Sequence, residues 1–448
     1  MNFVSSAWKA IKEDNLLKKI IRNTGYMLTS TTVTMALSLV QTVVVLRILS
    51  GTEYGVLGAI TTFVTNVNRL FSFRMGEVIV KYMGEYLARD EKDRAAAILK
   101  LAMLSEAITS LVTFLMLVII APLGAVLFAK DASYSSLFIL FGFSILGNII
   151  NESSTGVLQV GGHFRSQAAI NIGSSVLTML VILLAYFGGG GLTVIVLAYM
   201  GGKLILGIGS AAFGLVRARD LLGSGWWKMP IRGLPSLRSL AKFSISSNLS
   251  QTMMMLVRDS EVLWISLLLS PLEAGYYKMA LAIVNPVLNL TAPLIGTTFP
   301  EISALTAKKA WAQLRRLLRR VTLLSGSVIS AMAVFLIIFG QLILYWVKPE
   351  MLPAYTPMVI LLIGLGFGNI FFWNRPLLLS LGLPEVPFRF TLIFGAIKIL
   401  LTVFLVPRYG YVMEAILLGG FFICSVGGIV LLGYREIHRR EINMELAV

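Results

Sequence analysis

Residues 49–76 read LSGTEYGVLGAITTFVTNVNRLFSFRMG, and residues 269–296 read LSPLEAGYYKMALAIVNPVLNLTAPLIG. Without a gap, Leu49, Ser50, Glu53, Gly55, Val64, Val67, Leu70 and Gly76 recur 220 positions later as Leu269, Ser270, Glu273, Gly275, Val284, Val287, Leu290 and Gly296. Each copy starts where one long apolar stretch hands over to the next. Eight identities in 28 positions at such a place mark a duplicated unit of half the chain. Two copies of one lobe are expected, an N-terminal lobe over 1–225 and a C-terminal lobe over 226–448.

Of the 448 residues 57% are hydrophobic and 13% charged, too few polar residues to clothe soluble cores, so the chain reads as an integral membrane protein. Stretches long enough to cross ~30 Å of hydrocarbon as helix lie at 24–49, 55–83, 97–120, 135–159, 167–187 and 192–216. A second set lies at 242–269, 275–302, 321–347, 356–381, 388–406 and 412–434. The expected fold is all-α, with about 12 transmembrane helices in two pseudo-symmetric six-helix lobes around a central cavity. Because six is even, both lobes enter the membrane from the same side. Ahead of the first stretch, Val4, Trp8 and Ile11 oppose Lys9, Lys12 and Glu13, the pattern of an interfacial amphipathic helix rather than a cleavable signal.

The net charge of +16 would suggest nucleic acid in a soluble protein, but its distribution points elsewhere. With the N-terminus placed in the cytoplasm, 26 of the 38 Lys and Arg fall on the cytoplasmic side. Three (Lys130, Lys348 and Arg408) fall outside and nine within the stretches. The positive-inside rule then predicts a multi-pass protein of the cytoplasmic (plasma) membrane with both termini cytoplasmic. The surplus charge is topology plus attraction to anionic membrane lipids, and no nucleic-acid partner is expected.

Enzymatic chemistry finds little support. His163 and His438 stand apart from any Cys, His or carboxylate cluster, so no metal site is expected. Cys424 sits in an apolar run and reads as a small buried hydrophobe. No Gly-rich loop followed by Lys and Ser or Thr exists, and no cofactor is expected. The outer connections Ser50 to Tyr54, Gly188 to Gly191 and Ser270 to Ala274 are too short for a catalytic domain such as a glycosyltransferase or ligase would need.

The run Leu46-Arg47-Ile48-Leu49-Ser50-Gly51-Thr52-Glu53-Tyr54-Gly55, followed by Gly76 and Lys81-Tyr82, resembles the N-terminal signature of polysaccharide-biosynthesis flippases. These belong to the multidrug, oligosaccharidyl-lipid and polysaccharide exporter superfamily. The resemblance implies a cavity lined by spans 1, 2, 7 and 8, through which a lipid-linked (O-antigen type) oligosaccharide passes from inner to outer leaflet. It implies glycan polymerase or ligase partners as well. Two departures stand out: Leu267 replaces Arg47 in the second lobe, and span 2 carries Arg69 and Arg74.

A cation inside a span costs some 2.5–3.5 kcal/mol on insertion scales, so it is normally turned toward protein or water. Arg47, Arg69, Arg74, Arg258, Lys278 and Arg375 are therefore candidates to hold a phosphate or diphosphate head. Arg47, Lys278 and also Lys203 stand near enough to a span end to snorkel instead. Internal pairing is the other reading, with Glu77 three residues after Arg74 and Glu261 three after Arg258. Lys398, mid-span in the eleventh stretch and outside the implied cavity helices, is open equally to lobe-to-lobe structural pairing and to a groove for the lipid tail. Asp259, Glu261 and Glu77, with Glu106 and Glu152, are candidates for proton or sodium coupling. Pro286, Pro293 and Pro300 fall at two-turn spacing on one face of span 8, where a bent, gating helix is expected.

The reading that follows is a lipid-linked oligosaccharide flippase working by alternating access. An ion-coupled drug or cation antiporter would want an acid-dominated cavity. A transport-inactive membrane scaffold would tolerate loss of every cavity arginine.

Overall fold

The computed structural model of the chain describes residues 15–231, 252–289 and 291–445. The first fourteen residues of the expected interfacial helix, the linker from 232 onward, the start of the seventh stretch and Leu290 lie outside them. Among the described residues all regular structure is helical. In chain order the elements are α1 (Asn15–Ile48), α2 (Gly51–Phe71), α3 (75–88, with a π turn at Ile79–Met83) and α4 (Lys92–Gly124). They continue as α5 (Ser135–Gly147), α6 (Asn151–Val160), α7 (Phe164–Phe187) and α8 (Leu192–Leu222). After the linker come α9 (Glu261–Leu268), α10 (Pro271–Asn289), α11 (Ala292–Ala307) and α12 (Trp311–Val347). The chain ends with α13 (Tyr355–Ile370), α14 (Asn374–Ser380), α15 (Glu385–Tyr409) and α16 (Tyr411–Glu445).

The duplicated motif is a helix start. Ser50 Oγ donates to Glu53 Oε2 (2.9 Å) and receives the Glu53 N–H (3.2 Å), while the Ser50 N–H donates back to Glu53 Oε2 (2.8 Å). This capping box satisfies the orphan donors of α2. Its copy, Ser270 with Glu273 at 2.8 Å and 3.3 Å, opens α10. The repeated glycines have their own reason. A Cβ on Gly55 would stand 1.6 Å from the Pro271 carbonyl oxygen, and one on Gly275 would stand 2.5 Å from that of Gly51. The two copies cross backbone to backbone, and only hydrogen fits at the crossing. Gly51 N–H donates to Glu350 (3.1 Å) and Lys348 to the Leu49 carbonyl (2.8 Å), tying the same corner. Gly55→Ala is expected to cost on the order of 3 kcal/mol through overpacking. Its thermal midpoint in detergent should fall clearly below that of Gly201→Ala, where nothing lies within 4 Å of the new methyl. Equal midpoints would contradict the crossing.

Nine stretches among the described residues are helical, long and apolar enough to cross a membrane. The expected crossings at 55–83 and 275–302 are each split in two, and that at 242–269 is only partly described. The same kind of break divides the fourth stretch into α5 and α6 and the tenth into α13 and α14. In span 8, α10 stops at Asn289 with Pro286 inside it and α11 runs from Ala292 with Pro300 inside it. Pro293 falls within the first two residues of α11, where a missing N–H costs nothing. Large apolar side chains such as Ile119, Leu184, Phe187 and Ile338 stand exposed along the helices, which a bilayer accepts and water does not. The chain is a multi-pass membrane protein. Cys424 belongs to this outer surface: it is exposed on α16, so the expectation of burial is corrected, its apolar neighbours being lipid-facing rather than core.

Two compact units emerge from the contacts. The first comprises Met1–Ile48, Val64–Pro122 and Ser135–Leu249. Within it α7 packs on α1 and α8, and α8 packs on α5 and α6. A core of Ile79, Met83, Ile98, Leu99, Val157 and Trp226 closes one end. The second comprises Leu49–Phe63, Leu123–Tyr134 and Ser250–Val448. Within it α16 packs on α13 and α15, at a crossing so close that a Cβ on Gly364 would meet Gly419 Cα at 2.2 Å.

Candidate functional site

The first unit is hollowed by its helix breaks. Between α2 and α3, Arg74 takes a left-handed backbone (φ 54°), and Ser72 Oγ accepts its N–H (3.2 Å) while donating to Glu152 Oε1 (2.7 Å). Between α5 and α6, buried Glu106 reaches over from α4. Its two carboxylate oxygens accept the backbone N–H groups of Glu152 (2.7 Å) and Ser153 (2.9 Å). A carboxylate at this place satisfies orphan donors and meets the positive end of α6. A cavity of about 200 Å³ remains between the two breaks, walled by Asn68, Phe71, Ser110, Asn151, Glu152 and Lys203 among others. A more open recess of about 460 Å³, walled by Arg74, Glu77, Lys81 and Gln159, shares Asn151 and Glu152 with it. The two adjoin at the shared Asn151 and Glu152, a track of mixed polar and apolar lining.

The expected cations fall in different places. Arg69 ends α2 in an exposed position, next in sequence to Asn68 of the cavity wall, and Lys203 of α8 lines the same cavity. Among the described residues no carboxylate lies within ion-pair distance of the Lys203 ammonium. Arg74 turns onto Glu77, with Nε at 3.0 Å and Nη2 at 2.7 Å from the same oxygen, so these two candidates neutralise each other. Arg47 is exposed in the last turn of α1. Arg375 is exposed at the start of α14.

In the second unit Lys278 lies 4.4 Å from the centre of the Tyr54 ring, a cation–π contact that replaces an acid partner. Arg258 stands 4.0 Å from Asp259 and over the Phe422 ring at 5.9 Å. Its expected partner, Glu261, has turned away. The π turn at Met255–Asp259 inserts an extra residue into the helical register, so the i,i+3 relation no longer places the two on one face.

Glu261 instead joins a buried cluster that the spacing did not show. Lys398 of α15 donates to Glu261 Oε1 (2.6 Å) and to Glu414 Oε1 (2.5 Å). Tyr277 donates to Glu261 Oε2 (2.9 Å) and Thr402 to Glu414 Oε2 (2.8 Å). Every carboxylate oxygen has a donor, and all five side chains are at most 2% exposed. Glu414 is new. Its signal was a carboxylate in an apolar stretch, the same signal that singles out Glu261. Lys203 and Asn68 line the cavity although neither carries a sequence signal for it, a lysine near a span end reading as snorkelling and an asparagine being uncharged.

Among the described residues no group of three or more His, Cys, Asp and Glu is placed to hold a metal.

Solved transporter structures resemble the chain over nearly its whole length. An inward-facing multidrug resistance MATE family transporter of the MOP superfamily is 14% identical, with 92% of this chain and 95% of that one covered at a TM-score of 0.68. The lipid II flippase MurJ, in an inward closed conformation, is 14% identical over 95% of this chain and 91% of that one, at 0.69. The Vibrio cholerae MATE transporter VcmN in its bent form is 14% identical over 95% and 98%, at 0.56. At such identities the likeness shows the fold, a MATE- and MurJ-like transporter fold. A comparison with curated protein sequences finds no match. The profile of one family, described as polysaccharide biosynthesis protein, matches residues 20–306, well over half of the chain, and the chain belongs to that family.

Proposed function

We propose that the chain is a flippase. It moves an oligosaccharide linked to a polyprenyl phosphate or diphosphate from the inner to the outer leaflet of the cytoplasmic membrane, for cell-surface polysaccharide biosynthesis. The lobes 1–225 and 226–448 are the bodies that alternate access, and both termini face the cytoplasm. Glycan polymerase or ligase act downstream. The observation that carries this reading is Lys203: an ammonium that lines the track of a membrane-embedded unit with no carboxylate at ion-pair distance among the described residues, so an anion brought there supplies the missing counter-charge. Phosphate oxygens are the anion that such a family would bring there, with the Arg69 guanidinium able to fork onto two of them.

The antiporter reading wants free carboxylates in the track. Glu106 has both oxygens committed to backbone donors, and Glu152 has one committed to Ser72. For coupling we assign the Glu261–Glu414 pair rather than Asp259 or Glu77. Two carboxylates share one ammonium there, so one negative charge is in excess and a proton neutralises it. The break between α10 and α11, flanked by Pro286, Pro293 and Pro300, is the assigned gating joint.

Deleting the gene tests the function. A lipid-linked oligosaccharide should accumulate on the inner leaflet while surface glycan is lost, and supplying the chain again should reverse both. Normal surface glycan in the deletion strain would contradict the reading.

A further inference from the structure

The phosphate reading uses only the Lys203 side of the 200 Å³ cavity of the first unit, and its remaining walls are not those of a phosphate site. The Asn68 amide and the Ser110 hydroxyl line it with no hydrogen-bond partner among the described residues. Glu152 uses only Oε1, on Ser72, and leaves Oε2 uncommitted. These groups offer donors and acceptors together, which suits hydroxyl groups that are themselves both. Phe71 and Phe73 add aromatic surface to the same walls.

Charge and size narrow the occupant. A bare cation would want a net negative site, but Lys203 lines the cavity with Glu106 and Glu152, and Glu106 is spent on the α6 backbone. A prenyl chain would want an apolar lining. The cavity exceeds the ~30 Å³ share of one water and falls below the ~300–1,000 Å³ of drug-sized sites. One sugar ring is the ligand of that size with hydroxyls on every edge and a C–H face for the aromatic rings.

We infer that this cavity receives the first pyranose of the glycan, the ring joined directly to the phosphate. The inference rests on the flippase reading and deepens it. The Lys203 ammonium lines the same cavity, so a phosphate held there presents its attached sugar to Asn68, Ser110 and Glu152 Oε2. Selectivity for one glycan then begins at its reducing-end sugar, inside one lobe.

The test uses the purified full chain in detergent, titrated with inorganic phosphate and with the 1-phosphates of glucose, galactose and N-acetylglucosamine. At least one sugar phosphate should bind tenfold or more tightly than inorganic phosphate. Asn68→Leu and Ser110→Ala should each shrink that ratio several-fold while leaving the affinity for inorganic phosphate as it was. Ser110→Ala removes only one oxygen and keeps the helix, so a folded reporter is available even if Asn68→Leu is lost. Four equal affinities, or ratios that neither variant moves, would overturn the sugar site while phosphate binding kept the flippase reading. Absence of binding to all four ligands would overturn both.

Discussion

Lys398→Met should remove most of the folded protein from the membrane. The ammonium is the only cation between Glu261 and Glu414 among the described residues, and both carboxylates are essentially without solvent. Taking away one partner of a buried ion pair leaves an uncompensated charge and costs about 3–5 kcal/mol. Here two charges lose the same partner within a fully satisfied network, so the upper end applies. That is a large fraction of a typical 5–15 kcal/mol stability. Fluorescence-detected gel filtration of the variant should show aggregate in place of the monodisperse peak. The triple variant Lys398→Met, Glu261→Gln, Glu414→Gln should recover the peak, since no orphan charge remains. If the proton site is also assigned correctly, the recovered protein exports glycan without responding to a proton gradient. A monodisperse Lys398→Met single variant would show that the cluster holds nothing together.

Lys203→Gln and Arg69→Gln should each reduce glycan export at least a hundredfold with normal membrane abundance. Charge-assisted bonds to phosphate are roughly twice as strong as neutral ones, and the two cations act on one ligand, so either loss removes a large share of the binding. For Lys203→Gln abundance should hold because no carboxylate stands at ion-pair distance from the ammonium among the described residues, so no charge is orphaned. Arg69→Lys should restore export only in part, because ammonium keeps the charge and loses the planar fork. Arg74→Gln is the informative contrast. Its guanidinium is spent on Glu77, so export should fall much less. Surface glycan measured against protein abundance in the complemented deletion strain reads all four. Full export from Lys203→Gln and Arg69→Gln would favour the antiporter or the scaffold.

The duplication was legible because it is written in residues whose purpose is local. Ser50 and Glu53 cap a helix three residues apart, Ser270 and Glu273 repeat it, and Gly55 and Gly275 are required where the copies cross. The long helices were legible from apolar length alone. The breaks were not all so plain: Arg74 adopts a left-handed backbone without being glycine or asparagine, so nothing in its residue type announced the turn. Partners far apart in the chain were the least legible. Glu261 and Lys398 are separated by 137 positions, and only the fold brings them to 2.6 Å. The nearer pairing, Arg258 with Glu261, assumed an unbroken α-helix that the π turn at Met255–Asp259 interrupts. Lys203 illustrates the same limit: it reads as a lysine near a span end, and its place with Asn68 on the cavity wall is a property of packing.

Translocation by the purified chain in sealed vesicles tests the central claim most directly. Vesicles would carry a fluorescent lipid-linked oligosaccharide, and a glycosidase added outside would report the fraction exposed on the outer leaflet. The account predicts that wild-type protein brings the inner-leaflet pool into reach of the enzyme within minutes, and that Lys203→Gln protein, reconstituted to the same density, leaves it protected as in protein-free vesicles. Equal protection with wild-type protein and with none, in vesicles shown to contain folded chain, would contradict it.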